Sequence, residues 1–124
     1  MLRDELVKIN RLGWDGWWAG DRDQHSTHVL DAALGRPAAG VPVRLEGPSG
    51  VLATATTDGD GRISAMAAGS VGIHRLVFDT AAYFTATGQR GFYPEVIIAF
   101  TVEEGNYHVL LLLSPFAYST YRGS

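Results

Sequence analysis

Residues 107–124, YHVLLLLSPFAYSTYRGS, decide the fold. Two alternating apolar runs flank Ser114-Pro115, whose proline fixes φ and offers no N–H to a ladder, so the stretch reads as two antiparallel strands joined by a tight turn. In the first run Tyr107, Val109, Leu111 and Leu113 share one strand face, and His108, Leu110 and Leu112 share the other. A strand with one solvated face carries polar residues at every second position. Here only a histidine interrupts the apolar pattern, so the second face is expected to be covered, in a chain this short by another subunit. In the final run Ser119, Tyr121 and Gly123 alternate with Tyr118, Thr120, Arg122 and Ser124. Its abrupt end on Tyr-Arg-Gly-Ser implies a working role for that terminus.

Moving upstream, the period of two recurs. Val96, Ile98, Phe100 and Val102 share a face, and Glu103-Glu104-Gly105-Asn106 turns the chain into the hairpin. Asp79 is placed to N-cap a helix over Thr80–Thr87, closed by Gly88. Before it, Ile73, Arg75 and Val77 oppose His74, Leu76 and Phe78. The clearest half-buried strand is residues 41–46, with Val41, Val43 and Leu45 inward and Pro42, Arg44 and Glu46 outward. Its proline predicts an edge strand or a missing first hydrogen bond. Gly47-Pro48-Ser49-Gly50 turns into a run over residues 51–57, and Thr57-Asp58-Gly59-Asp60-Gly61-Arg62 turns again. That second turn has the opening spacing of a calcium loop but lacks its later ligands and distal glutamate, so it reads as a glycine turn holding Arg62. A first strand starts at Thr27, with His28, Leu30 and Ala32 opposite Val29, Asp31 and Ala33, and ends at a Gly35-Arg36-Pro37 turn cluster. Seven to eight short strands with one short helix predict an all-β, two-sheet β-sandwich.

The chain has 124 residues, 46% hydrophobic and 19% charged, which is one domain's worth of ordinary globular composition. A net charge of −3 argues against nucleic acid or an anionic membrane as the main partner. With no cysteines there is no disulfide, thiolate catalysis or zinc–thiolate site, which fits a reducing, cytoplasmic setting. No apolar run approaches the ~20 residues needed to span a bilayer, and the acidic N-terminal stretch is unlike a secretory signal.

Residues 1–26 differ from the domain expected over residues 27–124. Leu2, Leu6, Ile9 and Leu12 fall at helical spacing, predicting a short amphipathic helix over Arg3–Arg11, followed by a linker containing Trp14, Trp17 and Trp18. That linker either packs on the domain or docks a partner.

Of four histidines, His25 falls in the irregular leader and His74 in an unremarkable strand. His28 and His108 are each the only polar residue on an apolar or small strand face. A buried imidazole requires a partner, which marks both as candidate site residues. No HxH or HxxxH pair preorganises a metal site, and no cofactor is implied.

The strings STHVLDAALGRPAAGVPVRLE, TDGDGR, FDTAAYF, FYPEV and YHVLLLLSPFAYSTYRGS, in this order, resemble the 5-hydroxyisourate hydrolases, the transthyretin-like enzymes of urate (purine) degradation. The similarity covers residues 26–124, and YRGS with HVLD are its most specific motifs. It implies two four-stranded sheets with a short helix. It also implies a homotetramer whose last hairpins meet around a central channel, with active sites at the dimer–dimer interface. Transthyretin itself shares the fold but lacks the histidines and this ending. Residue by residue, the resemblance makes His28, Arg62, His108 and Ser124 the catalytic set and adds Tyr121 to His28 and Arg62 for substrate binding. Arg122 and Gly123 complete the terminal motif. Leu110 departs from the family, which commonly has proline there, and Phe116-Ala117 replaces a common Tyr-Gly. The segment ELVKINRL is similar to the tail of the decarboxylase acting next in that pathway, which suggests a fusion.

The reaction so implied opens 5-hydroxyisourate at a ring amide, giving 2-oxo-4-hydroxy-4-carboxy-5-ureidoimidazoline. It needs a base near neutral pH, a cation for the developing oxyanion, and groups that hold a flat polar ring. His108 is assigned as the water-activating base and His28 as its partner, with the reverse assignment open. Arg62 polarises substrate oxygens, Tyr121 contacts the ring and Ser124 joins the proton relay. A non-catalytic carrier of small aromatic ligands in the same channel is the alternative. It would have no use for two histidines and an arginine together. A sandwich serving assembly through its Trp-rich leader explains neither the histidines nor the ending.

Overall fold

A computed structural model describes residues 24–67 and 71–123 of the chain. The helix expected in the leader, the three tryptophans and Ser124 lie outside the described residues.

The element order is β1 (Gln24–Asp31), β2 (Arg36–Pro37), β3 (Pro42–Gly47), β4 (Gly50–Thr56), β5 (Arg62–Ala67), β6 (Gly72–Phe78), α1 (Thr80–Ala86), β7 (Val96–Val102), β8 (Tyr107–Ser114) and β9 (Ala117–Gly123). They form two sheets. One runs β2-β1-β8-β9, with β5 also paired to β1, and the other runs β4-β3-β6-β7. Among the described residues no helix is long and apolar enough to cross a membrane.

Alternation in sequence becomes burial. From the first sheet Val29, Leu111 and Leu113 point inward, and from the second Val43, Leu45, Leu76, Phe78 and Val96 meet them. Each such side chain, fully removed from water, contributes about 1.5–3 kcal/mol. The helix forms where its caps place it. The Asp79 carboxylate accepts the Ala82 N–H at 3.0 Å, and Gly88 takes the left-handed φ of 70° that ends the turn. The helix buries Tyr83 and Phe84. It is tied to β1 by the Tyr83 hydroxyl, which donates to Asp31 Oδ2 at 2.6 Å.

Three local expectations are corrected. β1 begins at Gln24 rather than Thr27 and ends at Asp31, so His25 belongs to a strand and Ala32 and Ala33 to a turn. His25 and His74 are both buried, with ring centroids 5.6 Å apart, beside Phe100 and Tyr107. Of the two alternatives for Pro42 the edge strand is overturned, since β3 is an interior strand paired with both β4 and β6, while a proline at its first position has no N–H to give the ladder. Its proline is tolerated because it occupies the first position, where its carbonyl accepts the Asp79 N–H at 2.9 Å. The hairpin turn sits one residue later than its sequence suggests. Ser114 pairs with Ala117, leaving Pro115-Phe116 as the loop.

Candidate active site

The outer face of the first sheet is set by register. β1 and β8 are parallel neighbours, an unusual pairing in a sandwich of otherwise antiparallel contacts, and it places Ser26 opposite His108 and His28 opposite Leu110. On the far side of β1, His28 faces Arg62 of β5. On the far side of β8, Leu110 faces Tyr121 and His108 faces Gly123 of β9. Directly paired residues project to the same side of a sheet. Two adjacent rows result: Arg62–His28–Leu110–Tyr121, and Ser26–His108–Gly123. His28 and His108 are therefore diagonal neighbours, with backbones roughly 7–8 Å apart.

Arg62 is held by its turn. Asp58 Oδ1 accepts the N–H groups of Asp60 and Arg62 at 2.9 and 3.0 Å, and the Asp58 N–H donates to the Arg62 carbonyl at 2.9 Å. These backbone donors, first that of Arg62 and then that of Asp60, together with the Arg62 and His28 charges, hold the Asp58 carboxyl below its ordinary range. Gly61 stands at φ 76°, and a Cβ there would lie 2.4 Å from the Val29 carbonyl oxygen. Only glycine lets the turn lie against β1. The Asp60 carbonyl thereby reaches His28 Nε2 at 3.0 Å. A carbonyl only accepts, so the neutral form of His28 carries its proton on Nε2 and has Nδ1 bare.

His108 is half-buried, and its Nδ1 lies 2.7 Å from Ser26 Oγ. Burial first, then the charges of Arg62 and His28, hold its pKa below the ordinary imidazole value, against a hydrogen bond donated by the ring to Ser26 that works the other way. The group is neutral, and so able to accept a proton, at neutral pH.

Arg62, His28, His108 and Tyr121 thus share one face. Arg122 does not: it alternates to the other side of β9 and stacks its guanidinium 4.7 Å from the Tyr107 ring centre. The aspartate of HVLD is structural. Asp31 Oδ1 accepts the N–H groups of Ala33 and Leu34, and its Oδ2 accepts from Tyr83 and Gln89. Leu110, at the position of departure, fills the gap between His28 and Tyr121. Sequence reasoning missed Ser26, because only the parallel β1–β8 register brings it to His108. A shallow groove of about 590 Å³ on the second sheet, over Pro42, Arg44, Thr54, Thr56 and Glu95, contains no histidine and lies away from these residues.

A two-sheet sandwich with one short helix, carrying two histidines and an arginine on the outer face of its hairpin sheet, defines a transthyretin-like protein with ionisable groups gathered on one face. The family model of the HIUase/Transthyretin family matches residues 25–123, and the chain belongs to that family. It is 44% identical over 110 residues to 5-hydroxyisourate hydrolase of Mus musculus, spanning 80% of this chain and 93% of the mouse protein. Among solved structures, 5-hydroxyisourate hydrolase of Klebsiella pneumoniae superposes with a TM-score of 0.77 at 36% identity, covering 82% of this chain and 99% of that one. Transthyretin from Sparus aurata superposes with a TM-score of 0.73 at 32% identity, covering 80% and 95%.

Proposed function

We propose that the chain hydrolyses 5-hydroxyisourate in urate degradation, with the two cross-strand rows of the first sheet as its active site. The observation that carries this reading is the placement of Arg62, His28 and His108 on one open face, where Arg62 and His28 depress the basicity of a half-buried His108. A ligand carrier gains nothing from such a cluster, whereas water attack on an amide requires it.

In this reading water lies between His108 and the substrate carbonyl. His108 removes a proton as the water oxygen bonds to carbon, and Arg62 binds the oxygen on which negative charge grows. The ring C–N bond then breaks, and the proton held by His108 passes to the departing nitrogen. Products retain every atom of substrate and water. His28, with Nε2 engaged by Asp60, offers its bare Nδ1 to substrate or water. Tyr121, exposed beside Leu110, supplies a flat wall against the ring. Ser124 adds its hydroxyl to the relay.

The working form is a homotetramer with the site between dimers. Leu30, Leu110 and Leu112 are only half-buried on this face of the single chain, and a second copy laid over them would finish their burial and exclude water from the site.

The test is the stopped-flow ultraviolet decay of freshly generated 5-hydroxyisourate with the wild-type chain and His108→Ala, each checked for assembly by light scattering. Acceleration by wild type and its loss in an equally assembled variant supports the reading. A wild type no faster than the spontaneous decay overturns it and leaves ligand binding to be measured on the same face.

A further inference from the structure

His108 is braced from both sides. Its Nδ1 edge meets Ser26 Oγ at 2.7 Å on the β1 side. On the β9 side Gly123 has no side chain, and a Cβ there would lie 2.6 Å from His108 Cδ2, 3.3 Å from its Cγ and 2.8 Å from Leu110 Cδ1. The imidazole therefore stands between its two cross-strand partners, Nδ1 edge to one and Cδ2 edge to the other. Cε1 and Nε2, the ring atoms farthest from the strand, are left at the open end.

We propose that Ser26 is a positioning residue for His108, accepting the Nδ1 proton and so leaving Nε2 as the bare nitrogen, while Gly123 preserves the slot in which the ring stands. The proposal rests on the reading of His108 as the base and adds how its tautomer and aim are fixed. A hydroxyl can donate or accept, so Ser26 Oγ alone permits either tautomer. The direction follows from the reading of His108 as the base: Nε2 stands at the open end, and a bare Nε2 requires the proton on Nδ1, where Ser26 Oγ lies within hydrogen-bond distance to accept it. The groups facing His108 are Tyr121 from β9, together with Arg62 from β5 and His28 from β1, the two whose charges act to lower its pKa. Neither offers Nδ1 an acceptor that could replace Ser26. In ordinary imidazole chemistry the nitrogen opposite a fixed N–H is the basic one, and a neighbour that fixes it holds the reactive lone pair in place.

The experiment follows the ring nitrogens of His108 in ¹⁵N-histidine-labelled protein as pH is varied, for wild type, Ser26→Ala and Ser26→Thr, with kcat and KM measured on the same samples. In wild type Nδ1 gives the protonated signal and Nε2 the bare one. Ser26→Ala moves population to the opposite tautomer, lowers the His108 pKa further by removing an acceptor, and cuts kcat about five- to tenfold with KM little changed. Ser26→Thr, which restores a hydroxyl, keeps both signals and the rate. Gly123→Ala displaces the ring and broadens or shifts both nitrogens, because the backbone there tolerates alanine and the atoms in the way are those of the imidazole and Leu110 Cδ1. An alanine variant at Ser26 with the wild-type tautomer and pKa overturns the proposal, whatever its rate. Shifted nitrogens with an unchanged rate leave Ser26 as the anchor of the ring and instead sink the reading of His108 as the base.

Discussion

Arg62 and His28 are direct cross-strand partners in the β5–β1 pair, and the turn that delivers Arg62 also presents the Asp60 carbonyl to His28 Nε2 at 3.0 Å. One turn thus positions two site residues, and Gly61 is its critical point. Gly61→Ala forces a left-handed alanine and drives Cβ to 2.4 Å from the Val29 carbonyl. The strain alone costs roughly 1–3 kcal/mol, and relief requires the turn to lift off β1. Chemical denaturation should show that loss, with kcat/KM falling further than stability alone explains. Gly59→Ala is the control. Nothing lies within 4 Å of its Cβ and its φ is not left-handed, so stability and rate should stay near wild type.

The proposed assembly has its own test. Leu112 is half-buried on the outer face, opposite Leu30 on β1 and Ser119 on β9. A carboxylate there would be stranded in any subunit interface built on this face, at a cost of several kcal/mol per ion, yet it remains solvated in the lone chain. Leu112→Asp should therefore lower the mass seen by light scattering while the far-ultraviolet circular dichroism stays that of a folded sandwich. A variant that keeps the wild-type mass would place the interface elsewhere.

Asp31 binds the fold to its helix, and its carboxyl makes stability depend on pH. Burial pushes its pKa up, but the Tyr83 hydroxyl, the Leu34 N–H, the Gln89 amide and the Ala33 N–H together bring it below the ordinary value. A carboxyl depressed in the folded state stabilises the protein above its unfolded pKa and loses that contribution as pH falls through the folded one. The Tyr83 phenol, raised by burial and by its bond to Asp31, stays protonated and continues to donate at alkaline pH. Asp31→Asn should cost about 1–3 kcal/mol at neutral pH and flatten the acid limb of the stability curve. An unchanged acid limb in urea titrations would assign that limb to other carboxylates.

Local pattern made much of this legible. The inward Val41, Val43 and Leu45 follow from a period of two, and α1 follows from Asp79 and Gly88, because short-range hydrogen bonds set both ends. The division of the hairpin into Val109-Leu111-Leu113 and His108-Leu110-Leu112 faces was equally plain. What escaped was non-local or masked by composition. His25 lies in a strand because Tyr107, His74 and Phe100 enclose it, and no pattern around Gln24 announces that. Pro42 suggested either an edge or a missing first hydrogen bond, and only the second survives, because a proline at a strand's first residue is no bar to an interior place. The meeting of Ser26 with His108 depends on a parallel pairing across 82 positions of sequence, which alternation within either strand cannot reveal.

The pH profile of the reaction should expose the role of Arg62. His108 must be neutral to accept a proton, so the rate falls as pH drops through its folded pKa. Burial, then Arg62, then His28 keep that pKa low, so activity extends to more acidic pH than an unperturbed imidazole would allow. Arg62→Ala removes the larger of the two charge effects on His108. The His108 pKa then rises and the acid limb of kcat/KM moves to higher pH, while the plateau drops about 10²-fold as the oxyanion loses its donor. Arg62→Lys separates the two effects. A lysine ammonium preserves the charge, and with it the position of the limb, but not the planar fork, so only part of the plateau returns. A limb that stays fixed in Arg62→Ala would mean that the titrating base is not His108 or that Arg62 does not act on it.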